Sequence, residues 1–297
     1  MMKSTHPRDP LKATPFERHR ILHMASFSRS GETLMLRCLD AHPSIHVVHQ
    51  IRQPEPPANK DLFRLLRGRQ KTSIPATSVK IRAANVPSGA TVFVKNATWR
   101  HPWKFHGFVL VRNPLSVVNS LSHRRPETER WASRIEPSLQ EQLVGKSQAE
   151  KVALVYEAKM LELATCGLPI VRYEDFVRNP EAIMMQLLAS LRIPWDDMVL
   201  RSHELYPEGQ TGHGKIRLWK PIHDSSLDSW KGLPRETIDS ILKINARSMS
   251  AFGYDMHNGD LLLRDNLPNL IRPDHRRSLF QKLKTFIFTG SHVSKKS

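Results

Sequence analysis

Between Ser26 and Leu34 the chain reads Ser26-Phe27-Ser28-Arg29-Ser30-Gly31-Glu32-Thr33-Leu34, a hydroxyl-rich turn between an apolar run and an amphipathic one. A strand entering such a turn and a helix leaving it aim several backbone N–H groups, and the positive end of the helix, at one point. That arrangement attracts a phosphate or a sulfate. Gly31 lets the backbone approach the anion closely. Thr33 adds a hydroxyl donor, and Arg29 a fixed guanidinium fork. The plainer alternative is a strand-to-helix turn with Ser30 as the helix cap. The Gly-x-x-x-x-Gly-Lys-Ser/Thr spacing of nucleoside triphosphate sites is missing, which disfavours ATP or GTP binding by that route. Arg112 offers a second anion contact. It follows the apolar run Val109–Val111, at the strand end where α/β sheets place ligands, and Ser120 lies about two helical turns further on.

Other segments carry weaker signals. Val171-Arg172-Tyr173-Glu174-Asp175-Phe176 ends an apolar run with an aromatic and two carboxylates, and Tyr173 is alternatively a core residue. Gly212-His213-Gly214-Lys215 is a basic, glycine-containing loop. His49, His101 and His106 are candidate proton acceptors, because an imidazole titrates near neutral pH. No zinc-ligand spacing is visible. Cys38 and Cys166 fall in helix-like patterns and read as reduced core residues.

In register, these segments resemble the sulfotransferases that use 3′-phosphoadenylyl sulfate (PAPS). Arg-Ser-Gly-x-Thr after a strand is similar to the family's 5′-phosphosulfate loop. Arg112-Asn113-Pro114 with Ser120 is similar to its 3′-phosphate motif. Tyr173-Glu174-Asp175 resembles a strand-end motif whose Tyr lies near the adenine, and Lys215 sits in a loop like the one that folds over the 3′-phosphate. The resemblance spans about residues 21–254. It implies that residues 29–33 (Arg29, Ser30, Gly31, Glu32, Thr33) hold the 5′-phosphate, and that Arg112, Ser120, Tyr173 and Lys215 complete the nucleotide site. It further implies that Arg29 and Lys95 act on the departing phosphate and the sulfuryl oxygens. The donor is then PAPS, the product adenosine 3′,5′-bisphosphate (PAP), and no metal takes part. Two places depart from the pattern. Glu32 stands where the family has Thr or Ser, and is expected to orient Arg29 or another basic residue. Lys95-Asn96-Ala97 keeps the lysine of a Lys-x-His pair and lacks the histidine, which leaves His49 as the candidate base by position and chemistry.

The elements needed to position these residues are legible as short apolar runs alternating with helical patterns, which is the mark of βαβ units. Strands are expected at 21–26, 91–95, 107–111 and 168–172, with a short extended piece at 45–48. Helices are expected at 32–40, from 114, over 149–166, from Asn179-Pro180 with Asn179 as cap, and over 234–251. Residues 53–58 and 201–230 read as loops. The fold class is α/β: a central mostly parallel sheet flanked by helices, P-loop sulfotransferase-like. The expected organisation is a polar N-terminal extension (1–20), one α/β domain (21–271) and a basic amphipathic tail (272–297).

The chain carries 45 Lys and Arg against 28 Asp and Glu, a formal +17. That balance suits an anionic partner. The absence of aromatics interleaved with the basic residues argues against nucleic acid. Leu279, Phe280, Leu283, Phe286 and Ile287 share one helical face of the tail, which suits either docking on the domain or contact with an anionic membrane. With no signal-like or spanning apolar stretch, the expected location is cytoplasmic, peripheral to a membrane if the tail binds one. The acceptor (saccharide, peptide, lipid or small molecule) is not encoded in any readable motif. The alternatives are a non-catalytic nucleotide- or anion-binding protein on a degenerate sulfotransferase fold, and a small-molecule kinase.

Overall fold

The strands are, in chain order, β1 (Arg18–Ser26), β2 (Ile45–Val48), β3 (Ser73–Pro75), β4 (Thr91–Asn96), β5 (Gly107–Val111) and β6 (Ile170–Arg172). Five of them form a parallel sheet in the order β2-β4-β1-β5-β6, and β3 pairs antiparallel with the first residues of β1. The structure is a computed structural model that describes residues 18–48, 51, 56–66, 72–96, 106–122, 128–213 and 216–272.

The strands are apolar on both faces because helices cover both, as a parallel sheet requires. The helices are α1 (Glu32–Asp40), α2 (Pro57–Leu66), α3 (Val79–Ala83), α4 (Pro114–Ser122), α5 (Thr128–Ile135), α6 (Leu139–Gln142), α7 (Gln148–Ala164), α8 (Tyr173–Arg178), α9 (Pro180–Ser190), α10 (Arg235–Ile244) and α11 (Ala246–Ala251). Leu22, Met24, Phe93, Phe108, Leu110 and Val171 face one side and bury against α1, α8 and α9. The alternate positions Ala25, Val109, Val111 and Ile170 face the other side, against α4, α7, α10 and α11. Ile21, Val92 and Val94 extend that second face over α2 and α3. This period-two partition is the direct consequence of the pleat.

β1 lies between β4 and β5. The chain leaves β1 toward one edge, returns, and continues toward the other, so the crevice beyond the C-terminal end of β1 is a topological switch point. Arg29, Lys95, Arg112 and Tyr173 all lie at or just after the C-terminal ends of their strands.

Several boundaries differ from expectation for identifiable reasons. β1 begins at Arg18, because residues 18–20 pair with β3. Pro57 is the first residue of α2 rather than part of a loop, a position where its missing N–H is harmless. α7 is bounded by a capping box, with Ser147 and Glu150 each satisfying the other's backbone N–H. The expected helix over 234–251 breaks at Asn245, whose buried side chain turns to α7 and donates to the Ala153 carbonyl at 2.9 Å. Asn179 makes no side-chain cap, although Pro180 does open α9. A hairpin was not anticipated: β7 (Tyr254–His257) pairs with β8 (Asp260–Leu263). Its turn residues Asn258 and Gly259 have φ 50° and 85°, the type I′ signature that Asn-Gly announces.

Both cysteines are free. Among the described residues, no helix is long and apolar enough to cross a membrane. The amphipathic tail, most of the N-terminal extension, His49, His101 and Lys215 lie outside the described residues.

Candidate functional site

β1 delivers a fully buried Ser26 to the turn, where Arg29 (φ 74°) and Gly31 (φ 95°) both adopt the left-handed conformation. These two reversals aim the turn's backbone inward. Gly31 occupies the N-cap position of α1 and no side chain caps it, so the first N–H groups of the helix have no intrahelical or capping partner. Gly31 is also required by close packing: a Cβ there would fall 2.2 Å from Cδ2 of Tyr173.

The Tyr173 ring therefore lies directly against the turn. Its hydroxyl shares a 2.9 Å hydrogen bond with Ser226 Oγ, and the Arg112 guanidinium stacks on it at 4.5 Å from the centroid. Arg112 donates to the Arg29 carbonyl at 3.3 Å and to the Ser226 carbonyl at 2.8 Å. Its Nε is buried with no hydrogen-bond partner among the described residues. Arg29 reaches across to Ser120, Nε to Oγ 2.9 Å. Lys95 Nζ lies 3.1 Å from Glu32 Oε1, both side chains nearly buried. Glu32 therefore pairs with the lysine of β4, one of the basic residues it was free to orient.

These groups wall one cavity of about 660 Å³, lined on its far side by His213 and by residues of the strap 216–226. Arg29, Arg37, Lys95, Arg112, Arg217 and Lys220 line it, and Glu32 is the only carboxylate among its described lining residues. A cavity so biased, with an open helix N-terminus in its floor, is built to take a polyanion. Arg112 lies in the same wall with no carboxylate paired to it among the described residues.

Three residues position the site from beneath, of which Tyr156 and Arg37 were not anticipated, while Glu174 stood in the Tyr173-Glu174-Asp175 motif. Tyr156, buried on α7, donates to the Arg112 carbonyl at 2.6 Å. Glu174 accepts from the Asn113 backbone at 3.0 Å, from its side chain at 2.7 Å, and from the Tyr254 hydroxyl at 2.7 Å. Burial and the neighbouring Glu174 carboxylate push both tyrosine hydroxyls well above their usual range, so both remain donors at any ordinary pH. Arg37 is buried and donates to the carbonyls of Leu218 and Lys220, both at 2.8 Å, tying the strap to α1. Tyr156 and Arg37 carry no sequence signal, and the partners of Glu174 were not readable either, because each acts through a contact distant in the chain. Tyr254→Phe strips a buried carboxylate oxygen of its donor. The expected loss is about 1–3 kcal/mol of stability, read as a lower urea midpoint with an unchanged slope. An unchanged midpoint would show that Glu174 is satisfied without Tyr254.

Other expectations separate here. Arg29, Glu32, Thr33, Gly31, Lys95, Arg112 and Tyr173 share the cavity wall, and Ser120 joins them through Arg29. Ser30 is buried beneath the turn. His106 is not brought to the site: it precedes β5 at the opposite end of the strands from Arg112. Trp230 and Phe252 belong to the core. Asp175 pairs with Arg172 beside the bridge to Asp265. Burial raises its carboxyl above the usual range, partly offset by Arg172.

No family model matches the chain. Among curated proteins it is similar to protein-tyrosine sulfotransferase 1 of Danio rerio, 26% identical across 88% of this chain and 79% of the relative. It is similar also to protein-tyrosine sulfotransferase 2 of Gallus gallus, 24% identical across 86% and 72%. Among solved structures it superposes on the sulfotransferase domain from the Curacin biosynthetic pathway with a TM-score of 0.50 at 17% identity, over 77% of this chain and 96% of that one. The sulfotransferase domain of the Synechococcus PCC 7002 olefin synthase superposes with a TM-score of 0.51 at 17% identity, over 81% and 97%. The superpositions give the fold, and the relatives match it along nearly the whole domain. The chain thus has the sulfotransferase fold and is similar along most of its length to protein-tyrosine sulfotransferases.

Proposed function

We propose that the chain transfers a sulfuryl group from PAPS to a hydroxyl or amine of an acidic acceptor. The observation that carries this reading is the convergence of the open α1 N-terminus, Arg29, Lys95 and Arg112 on one cationic cavity at the ends of β1, β4 and β5. The residues fit the donor. The turn amides of 29–33 suit its 5′-phosphate, Arg112 and Ser120 its 3′-phosphate, and the Tyr173 ring lies beside both. Lys215 is proposed to close over the 3′-phosphate.

In the reaction the acceptor atom bonds to sulfur as the bridging bond between sulfur and the 5′-phosphate oxygen breaks. Charge accumulates on that oxygen, where Arg29 and the amides stabilise it, and Lys95 holds the sulfuryl oxygens. Positioning and fixed charge supply the rate enhancement. The acceptor class follows from cations the donor does not use: Arg217 and Lys220 line the remaining wall. The relatives' names point the same way, to a tyrosine hydroxyl.

The test is transfer of labelled sulfate from PAPS to tyrosine-containing acidic peptides. Turnover is expected, with kcat falling by about 10²–10³-fold in Lys95→Ala, the usual effect of removing a charge-stabilising group. PAP binding without transfer to any hydroxyl or amine would instead support a nucleotide-binding protein without catalysis.

A further inference from the structure

Transfer leaves the acceptor's proton to be removed. The usual partner is missing, since Asn96-Ala97 follows Lys95 where a histidine would complete the pair. Building on the transfer reading, we propose that Glu32 is the general base, taking the acceptor's proton as the acceptor atom bonds to sulfur.

Four observations converge on it. Glu32 is the first residue of α1, and a carboxylate there normally serves the helix dipole from solvent. This one is 5% exposed and lines the cavity wall instead. It is the only carboxylate among the described lining residues. Its Oε1 is 3.1 Å from Lys95 Nζ, the group assigned to the sulfuryl oxygens, so it stands beside the group that would hold the transferring sulfuryl. Finally, Oε1 makes no hydrogen bond among the described residues. The contact with Lys95 is charge pairing off the hydrogen-bond axis, and a lone pair remains to accept a proton.

The two histidines of the wall, His213 and His223, stand on the strap rather than beside Lys95, and His223 Nδ1 is engaged with Ser225 Oγ at 2.8 Å. The ion pair also gives an order to events. Until the donor binds, Lys95 and Glu32 are paired. Sulfuryl oxygens that take Lys95 release the carboxylate beside the acceptor. The step balances: a lone pair of the acceptor oxygen or nitrogen forms the new bond to sulfur, the S–O pair leaves on the 5′-phosphate, and the acceptor's proton goes to Glu32 and then to water, its bonding pair staying on the acceptor atom.

The experiment uses the full chain, PAPS, and phenols of graded acidity as acceptors, with PAP affinity measured in parallel. Glu32→Gln keeps the shape and removes the base. It is expected to bind PAP within about threefold of the parent and to lose about 10²-fold or more in kcat, the usual worth of a general base. The loss should shrink as the phenol becomes more acidic and needs less help. Glu32→Asp should keep part of the turnover. A Glu32→Gln that retains kcat within threefold overturns the proposal. So does a loss identical for every phenol, which would mark mere misplacement of Lys95. The same acidity dependence in His49→Ala alone would assign the base to His49 and overturn it too. Failure of the parent to bind PAP is a separate outcome that removes the transfer reading itself.

Discussion

Calorimetric titration of Arg112→Ala with PAP is expected to show an affinity about 10²-fold or more below that of the parent. Such a fall corresponds to the roughly 2–5 kcal/mol that follows loss of one partner from a buried charged hydrogen bond. Arg112 is 8% exposed. No carboxylate pairs with it among the described residues, and its hydrogen bonds go to the carbonyls of Arg29 and Ser226. A buried guanidinium without a counter-charge is held at a cost, and a bound phosphate removes that cost. Adenosine 5′-monophosphate, which lacks the 3′-phosphate, should bind the parent weakly and be little affected by the substitution. Arg112→Lys should fall between, keeping the charge and losing the fork. Equal binding of both nucleotides by the parent, or unchanged PAP affinity in Arg112→Ala, would remove the donor site as described.

The second large effect is expected at Gly31. In Gly31→Ala the new Cβ meets Tyr173 at 2.2 and 2.5 Å, on a backbone at φ +95°. The strained conformation costs about 1–2 kcal/mol, and displacing a packed ring about 1–3 more. In a domain of this size the fall in Tm should be roughly 4–20 °C. PAP affinity should fall with it, because the ring that moves is the one that supports Arg112 and holds Ser226. Tyr173→Ala opens the space. The double variant should therefore be more stable than the two single losses, added together, allow. Strict additivity, or a Gly31→Ala protein as stable as its parent, would show that turn and ring are not in contact.

The parallel sheet and its two helical layers were written in the alternation of short apolar runs with helical patterns, since each strand buries both faces and each helix only one. The strand–turn–helix of residues 26–34 was legible for the same local reason. Arg29, Gly31 and Thr33 lie only a few residues apart, and the flanking strand and helix fix their geometry. Arg112 was legible because it ends an apolar strand. The hairpin at Asn258-Gly259 carried a readable local signal too, in the two positive φ angles that its turn requires.

What the tertiary structure alone decided lies in contacts made across long stretches of chain. Ser226 reaches the turn from an irregular strap, Tyr156 fixes the end of β5 from inside α7, and Glu174 joins Asn113 to Tyr254. Glu32 is the sharpest case. Its type and position predicted an ordinary carboxylate at a helix start that orients some basic residue. Only the pairing of β1 with β4 brings it to Lys95 and turns it into the cavity. Local propensity sets where a side chain leaves the backbone. The register of the sheet sets what it meets.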